Sequence, residues 1–340
     1  MKPQVLVFDD EATRYVEGLA PLLPDIDFIA ATTEAEALAR CDAASVLVAL
    51  APFIPPRLIE SMPRLRWIQA LTTGTDNLLF DMPALRTEVL ITSLRGIHGP
   101  QVAELAILYM LALSRDLRGL FALQAEAKWL RRPQRLLLGR RAVLVGVGTI
   151  AENLALRCKS FGMEVVGISS RPREAAGFDQ VLPRSALIDA AATADFLIVL
   201  LPYAADTHNL IDARVIDAMK PDAVLINLAR GRIVDEDALL AALREKRLFG
   251  AGLDVFATEP LPADHPFWNC ANVIVTPHIG GMSDIYAEQA IPILIENFKA
   301  YLASRPDLMK NVVRAGGGDD LFRPAQTDHG AGAGRGTTAR

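Results

Sequence analysis

The chain has 340 residues, of which 51% are apolar and 22% charged, with a net charge of −5 and a pI near 5.6. Such a chain can bury a large core and is long enough for two domains of ordinary size. Its mild acidity, without a basic stripe, argues against nucleic acid as a main partner. The most apolar helical stretch, residues 103–113, is too short to span a bilayer. The opening MKPQVLVFDD reads as a strand start rather than a cleavable signal. Cys41, Cys158 and Cys270 are scattered and lack metal-ligand spacing. They read as unpaired core thiols of a reducing, cytoplasmic compartment, with no metal.

Short apolar runs alternate with helical stretches, the pattern of an α/β fold with parallel sheets. The first runs are QVLVFD (4–9), DFIA (27–30), SVLVAL (45–50), RWIQAL (66–71) and EVLITS (88–93), with helical segments such as 33–39 between them. Their lack of polar alternation suits strands buried on both faces. A single long helix is expected over about 100–128, from apolar residues at Val102, Leu105, Leu108, Leu111 and Leu113. The segment RRPQRLLLGRR (131–141) interrupts with charge and a proline, and reads as an exposed connection. Alternation restarts with AVLVGV (142–147), EVVGI (164–168), FLIVLL (196–201), AVLINL (223–228), GAGLDV (250–255) and VIVT (273–276), and a last helix follows over about 284–302. The length left over lets this helix cross back to the first section. The expected architecture is two Rossmann-like, doubly wound domains. One takes residues 1–100 plus 285–313 and the other 101–284, with 314–340 a Gly-rich, polar, disordered tail.

The sharpest local signal lies in AVLVGVGTIAENLA (142–155), between a strand and a helix. Gly146, Gly148 and Ala151 fit the pattern G-x-G-x-x-[G/A]. Gly146 allows the tight turn, Gly148 lets backbone approach a pyrophosphate, and Ala151 permits close helix–strand packing. The helix start at Thr149 and Ile150 presents N–H groups and a positive dipole end to phosphates.

Three later segments each end a strand with polar residues. INLARGRIVDEDAL (226–239) supplies Arg230, GLDVFATEPLP (252–262) supplies Asp254 and Glu259, and VTPHIGG (275–281) supplies His278. Ligands of open α/β sheets bind beyond the carboxyl ends of the strands, so these side chains could meet beside the nucleotide. Arginine can grip a carboxylate with two prongs and polarise a neighbouring carbonyl. A carboxylate bonded to a histidine fixes its tautomer and favours the protonated form, which can deliver a proton to a carbonyl oxygen as hydride arrives.

With these residues in order, the chain over about 1–313 resembles the D-isomer-specific 2-hydroxyacid dehydrogenases, notably their glyoxylate/hydroxypyruvate reductase-like members. Beyond the segments above, the matching pieces are LTTGTDNL (71–78), VAELAILYMLALSRDL (102–117) and LPYAADTHNLID (201–212). The resemblance implies two Rossmann-like domains with the site in the cleft, the catalytic domain being built from both chain ends. It implies hydride transfer between NAD(P)H and a small 2-oxo acid or D-2-hydroxy acid. Carried over by motif, Arg230 binds the substrate carboxylate, and Glu259 supports His278 as acid/base. Asp254 contacts the nicotinamide carboxamide, and the N–H groups of Thr73 and Gly74 hold the substrate carboxylate. Pro202 and Thr207 lie by the adenosine, Ala229 lies by the nicotinamide ribose, and a homodimer through the coenzyme domain is expected.

There are departures. Ser93 stands near a position where many members carry asparagine, and His98 is an addition near the expected hinge, there for packing or for substrate choice. No regulatory domain is expected after residue 313, unlike the longer phosphoglycerate dehydrogenases. A dinucleotide-sensing binding protein resembling the C-terminal-binding-protein corepressors is the alternative reading. The formate dehydrogenase branch, which normally has glutamine where Glu259 stands, ranks lower.

The stretch VVGISSRPR (165–173) sets the expected nucleotide. An acid at this distance from Gly146 would bond the ribose 2′-OH of NAD. Here Ser169 is neutral, Ser170 can donate to a phosphate and Arg171 can grip one, with Arg173 in reserve. NADP(H) is therefore expected as the preferred cofactor, with NAD(H) possible.

Overall fold

The structure is a computed structural model that describes residues 2–315, and the greater part of the expected tail lies outside the described residues. The chain forms two compact units. Among the described residues, one holds 2–94 and 287–315; the other is Arg95–Tyr286.

The first unit is a six-stranded sheet in the order β13-β5-β4-β3-β1-β2. Its strands are β1 (Gln4–Phe8), β2 (Asp27–Ala31), β3 (Val46–Ala49), β4 (Trp67–Ala70), β5 (Leu90–Thr92) and β13 (Val312–Arg314). β1 to β5 run parallel and β13 is antiparallel to β5. β3, β4 and β5 are buried along their whole length, as their largely apolar runs suggest, with Gln69 and Thr92 the polar exceptions. The Tyr286–Leu302 helix packs on this sheet. Phe298 meets the rings of Trp67 and Phe28 edge-on, at 5.0 and 5.4 Å. Beside it runs a buried polar chain. Trp67 Nε1 donates to Thr92 Oγ1 (2.8 Å), Thr92 Oγ1 donates to Gln69 Oε1 (2.8 Å), and Asn297 Nδ2 donates to the same oxygen (2.7 Å). Every polar atom so paired avoids the cost of burial without a partner.

The second unit is a seven-stranded parallel sheet in the order β12-β11-β10-β9-β6-β7-β8. Its strands are β6 (Arg141–Val145), β7 (Glu164–Ser169), β8 (Gln180–Pro183), β9 (Phe196–Val199), β10 (Val224–Asn227), β11 (Gly250–Leu253) and β12 (Val273–Val275). The direction of winding reverses between β6 and β9, the switch point at which open sheets bind ligands. β8 and β13 have no counterpart among the expected strands. Both are edge strands with no fully buried residue, so their sequences carry no continuous apolar run.

The single helix expected over 100–128 is instead two, Gly99–Ser114 and Leu117–Ala125. Asp116 breaks it with φ 47°, in the left-handed region that Asp tolerates better than most residues, and its carboxylate caps the second helix by accepting from Gly119 N. The buried side of the first helix runs through Ala103, Ala106, Tyr109, Met110 and Leu113, while Leu108 faces out. The three cysteines are buried and form no disulfide, and burial pushes the Cys158 thiol up to about 12. No helix among the described residues is long and apolar enough to cross a membrane, and no cluster of His, Cys, Asp and Glu among them could hold a metal.

Candidate active site

The expected site residues of the second unit fall at or beyond the carboxyl ends of its strands. Because the sheet is wholly parallel, these ends share one edge. After β6 comes the glycine turn. Gly146 has φ 108°, and a Cβ there would sit 2.8 Å from Leu201 N, so only glycine fits. Gly148 is exposed and caps the Thr149–Ser160 helix; a side chain there would project into open space. Ala151 is buried behind it. A bare backbone, an exposed helix start at Thr149 and Ile150 and an open approach fit the diphosphate of a dinucleotide.

Ser169 ends β7, and its hydroxyl is tied to the main chain of Arg171, accepting from N and donating to O, each at 3.1 Å. Ser170 and Arg171 are exposed, and no described residue pairs with the Arg171 guanidinium. Arg173 donates to Glu152 Oε1 at 2.6 Å, on the dinucleotide helix. Beyond β9, the Thr207 hydroxyl is buried and engaged within its own loop. It accepts from Ala204 N (2.7 Å) and faces the carbonyls of Pro202 and Ala204. Thr207 thus shapes the loop that carries exposed Pro202.

The structure brings Arg230, Glu259 and His278 together. Asn227, the last residue of β10, fixes the turn that follows: its Nδ2 donates to Arg230 O (3.0 Å) and its Oδ1 accepts from Ala229 N (3.1 Å). Half-buried Arg230 donates to Ala229 O at 2.7 Å. Gly231 follows, and a Cβ on it would lie 1.8 Å from the carbonyl carbon of Phe256 and 2.1 Å from Ala257 N. The backbone bearing Arg230 therefore lies directly against the backbone leading to Glu259, a contact that any side chain would force apart. Two carboxylates hold the same stretch, Glu259 Oε1 accepting from Phe256 N (2.9 Å) and Glu236 Oε1 from Ala257 N (2.7 Å). Sequence reading passed over Gly231 and Glu236; a glycine immediately after a candidate arginine was the available signal.

The other oxygen of Glu259 bonds His278 Nδ1 at 2.8 Å, and the two side chains remain 35% and 38% exposed, open to a ligand. Burial pushes the Glu259 carboxyl up, but its hydrogen bonds to His278 and Phe256 N and the charges of His278 and Arg230 outweigh this and hold it below the usual value. With Nδ1 given to Glu259, Nε2 is the ring nitrogen left to face a ligand. His278 has φ 54°, a left-handed conformation that costs about 1–3 kcal/mol in a non-glycine residue. The neighbouring backbone is held by Asp254, which is buried. Its carboxylate accepts from Ile279 N (2.9 Å), Gly280 N (2.8 Å) and the Thr276 hydroxyl, and its carbonyl accepts from His278 N (2.8 Å). Asp254, placed by motif at the nicotinamide, has both oxygens engaged by the histidine loop.

Thr73 and Gly74 belong to the first unit, in the loop after β4, which is pinned by the Thr72 hydroxyl donating to Gly74 O at 2.7 Å. Ser93 is fully buried and its hydroxyl has no partner among the described residues. His98 is buried at the start of the Gly99–Ser114 helix, with Nε2 at 2.8 Å from the Tyr286 hydroxyl. Its ring lies edge-on to that of Tyr286, with centroids 5.5 Å apart.

A parallel sheet with a glycine turn at its switch point and an Arg–Glu–His set on the same edge defines a dinucleotide-binding protein with a candidate acid/base centre. Residues 107–280 match the family model for the NAD-binding domain of D-isomer-specific 2-hydroxyacid dehydrogenases, and the chain belongs to that family. It is 32% identical over 314 residues to D-3-phosphoglycerate dehydrogenase of Mycobacterium tuberculosis, an alignment covering 91% of this chain and 56% of that protein. The chain thus spans little more than half the length of this relative. It is also 32% identical over 296 residues to glyoxylate/hydroxypyruvate reductase B of Yersinia pestis, covering 82% and 88% of the two chains. Among solved structures, a D-isomer-specific 2-hydroxyacid dehydrogenase family protein from Aeromonas salmonicida superposes with a TM-score of 0.85 at 32% identity, over 92% of this chain and 99% of that one.

The lowered carboxyl of Glu259 gives a measurable pH dependence. A carboxyl held below its usual 4.5 stabilises the fold above that pH, and the contribution disappears as pH falls through the lowered value. In urea titrations, wild type should be more stable than Glu259→Gln at pH 7, and the gap should narrow below about pH 4.5. A gap independent of pH would show that the pairing with His278 does not form.

Proposed function

We propose that the protein transfers a hydride between NAD(P)H and a small 2-oxo acid or D-2-hydroxy acid, acting as a glyoxylate/hydroxypyruvate-type reductase. The observation that carries this is the bond of Glu259 to His278 Nδ1, with the charge of Arg230 acting on the same carboxylate. The dinucleotide, when bound, supplies the hydride. Gly146, Gly148 and the helix start at Thr149 and Ile150 hold its diphosphate, with Pro202 and the Thr207-shaped loop by the adenosine and Ala229 by the nicotinamide ribose. Arg230 binds the substrate carboxylate and polarises the adjacent carbonyl. His278 gives the proton on Nε2 to the carbonyl oxygen, or takes it back in the reverse direction, while Glu259 stabilises the charged ring. Asp254 acts at the nicotinamide side through the loop it organises.

Ser170 and Arg171 favour NADP(H), because the unpaired guanidinium at the end of β7 can take a 2′-phosphate where an acid would repel it. The reductase relative supports small, polar substrates. The active form is a homodimer in the cytoplasm. The three buried, unpaired thiols suit that compartment. The Leu117–Ala125 helix buries none of its residues, and Phe121, Trp129, Leu130, Leu136 and Leu138 are exposed, Trp129 to 93%. So much exposed apolar surface in one stretch of chain suits burial against a second copy.

A panel of glyoxylate, hydroxypyruvate, pyruvate and bulkier 2-oxo acids, assayed with NADPH and NADH, tests the reading. Turnover is expected with at least one small acid, and His278→Ala should lower kcat by about 10²–10⁴-fold. Full turnover in that variant would remove His278 from the mechanism. Arg171→Ala should raise KM for NADPH and leave KM for NADH alone; equal efficiency with both cofactors in the intact enzyme would defeat the NADP assignment. Sedimentation should give a dimer that Trp129→Glu shifts towards monomer, and a monomeric wild type would remove the dimer.

A further inference from the structure

Asp254 is one end of a part-buried hydroxyl chain that reaches a different element. Thr276 donates to Asp254 Oδ1, and the Tyr109 hydroxyl lies 2.5 Å from Thr276 Oγ1. The proton order follows from chemistry. A carboxylate only accepts, so the single Thr276 proton goes to Asp254, and Thr276 Oγ1 must accept from Tyr109. Tyr109 is fully buried in the Gly99–Ser114 helix, its ring packed on Gly252 of β11, where a Cβ would fall 2.6 Å from ring atoms. Burial pushes its phenol up, so it stays a donor. The chain therefore anchors Asp254 to a rigid helix. Asp254 in turn holds Ile279 N, Gly280 N and His278 N, the backbone on which His278 sits in a left-handed conformation.

We propose that Tyr109 and Thr276 are positioning residues for His278, acting through Asp254 to hold the 276–280 loop so that Nδ1 stays on Glu259 and Nε2 faces the substrate. This rests on His278 being the acid/base. The loop's own amides and the hydroxyl chain help to keep the strained residue in place, so loosening one link lets the ring swing from Glu259. The rate of proton transfer then falls, while the dinucleotide contacts after β6 and β7 are untouched. A role of the same residues in cofactor binding would give the opposite pattern.

The test uses the full chain with Thr276→Val, Thr276→Ser and Tyr109→Phe. Thr276→Val is expected to lower kcat by about 10- to 100-fold, a loss typical of a slightly misplaced catalytic group, with KM for NADPH changed less than about twofold. Thr276→Ser should restore kcat to within about threefold of wild type, and Tyr109→Phe, nearly isosteric, should lie between. Wild-type kcat in Thr276→Val, or a raised KM for NADPH at constant kcat, would overturn the proposal. Imidazole ¹⁵N shifts of His278 give a reading that needs no turnover, and so separate this inference from the assigned reaction. The Nδ1–H tautomer should dominate in wild type and Thr276→Ser and give way to a mixture in Thr276→Val. Identical tautomer populations in all three would also overturn it.

Discussion

The site depends on one backbone contact, that of Gly231 with the Phe256–Ala257 peptide. It sets the spacing between two neighbouring loops of the sheet edge, and so between Arg230 on one and Glu259 on the other. Two carboxylates secure this stretch by accepting from Phe256 N and Ala257 N, and one of them is Glu259 itself. The supporting carboxylate is thus also part of the scaffold. Its orientation towards His278 is fixed by its first oxygen before its second is used. A side chain with one job could rotate away; one with two is locked by both.

Different residues do different work along this edge. The β6 turn is made of glycine and a helix start, so it offers dipoles and N–H groups rather than side chains. The loops after β10, β11 and β12 offer charge. Asp254 has the appearance of a ligand-facing acid in the sequence, yet its oxygens are turned into the histidine loop. The strain at His278 is balanced there, which is the arrangement expected where a backbone is held in a rare conformation for a purpose.

Most of the fold was legible because parallel, doubly covered strands must be continuously apolar, and eleven such runs stand out between helical stretches. β8 and β13 lacked that signature, being half-exposed edges. The break at Asp116 was hidden because apolar residues continue on both sides of it, and only the backbone angle reveals the turn. Arg230, Glu259 and His278 were legible as polar residues at strand ends. Their supports were not. Gly231 and Glu236 matter for where backbone atoms of another loop lie, and Thr276 for where side chains of other elements lie, which no local pattern records. Arg173, read as standing in reserve behind Arg171, pairs with Glu152 of the preceding helix, a pairing visible only in three dimensions.

β13 joins the edge of a sheet whose other strands all lie within the first 92 residues of the chain. The helix carrying Phe298 and Asn297 likewise completes the core around Trp67. During synthesis the first unit therefore emerges early but cannot close until the whole of the second has been made. Its unpaired β5 edge and open aromatic pocket must wait, while the intervening unit has all its strands in one unbroken segment and can fold on emergence. Of the two units, the one begun first is the one finished last, which gives it the longer need of protection from aggregation.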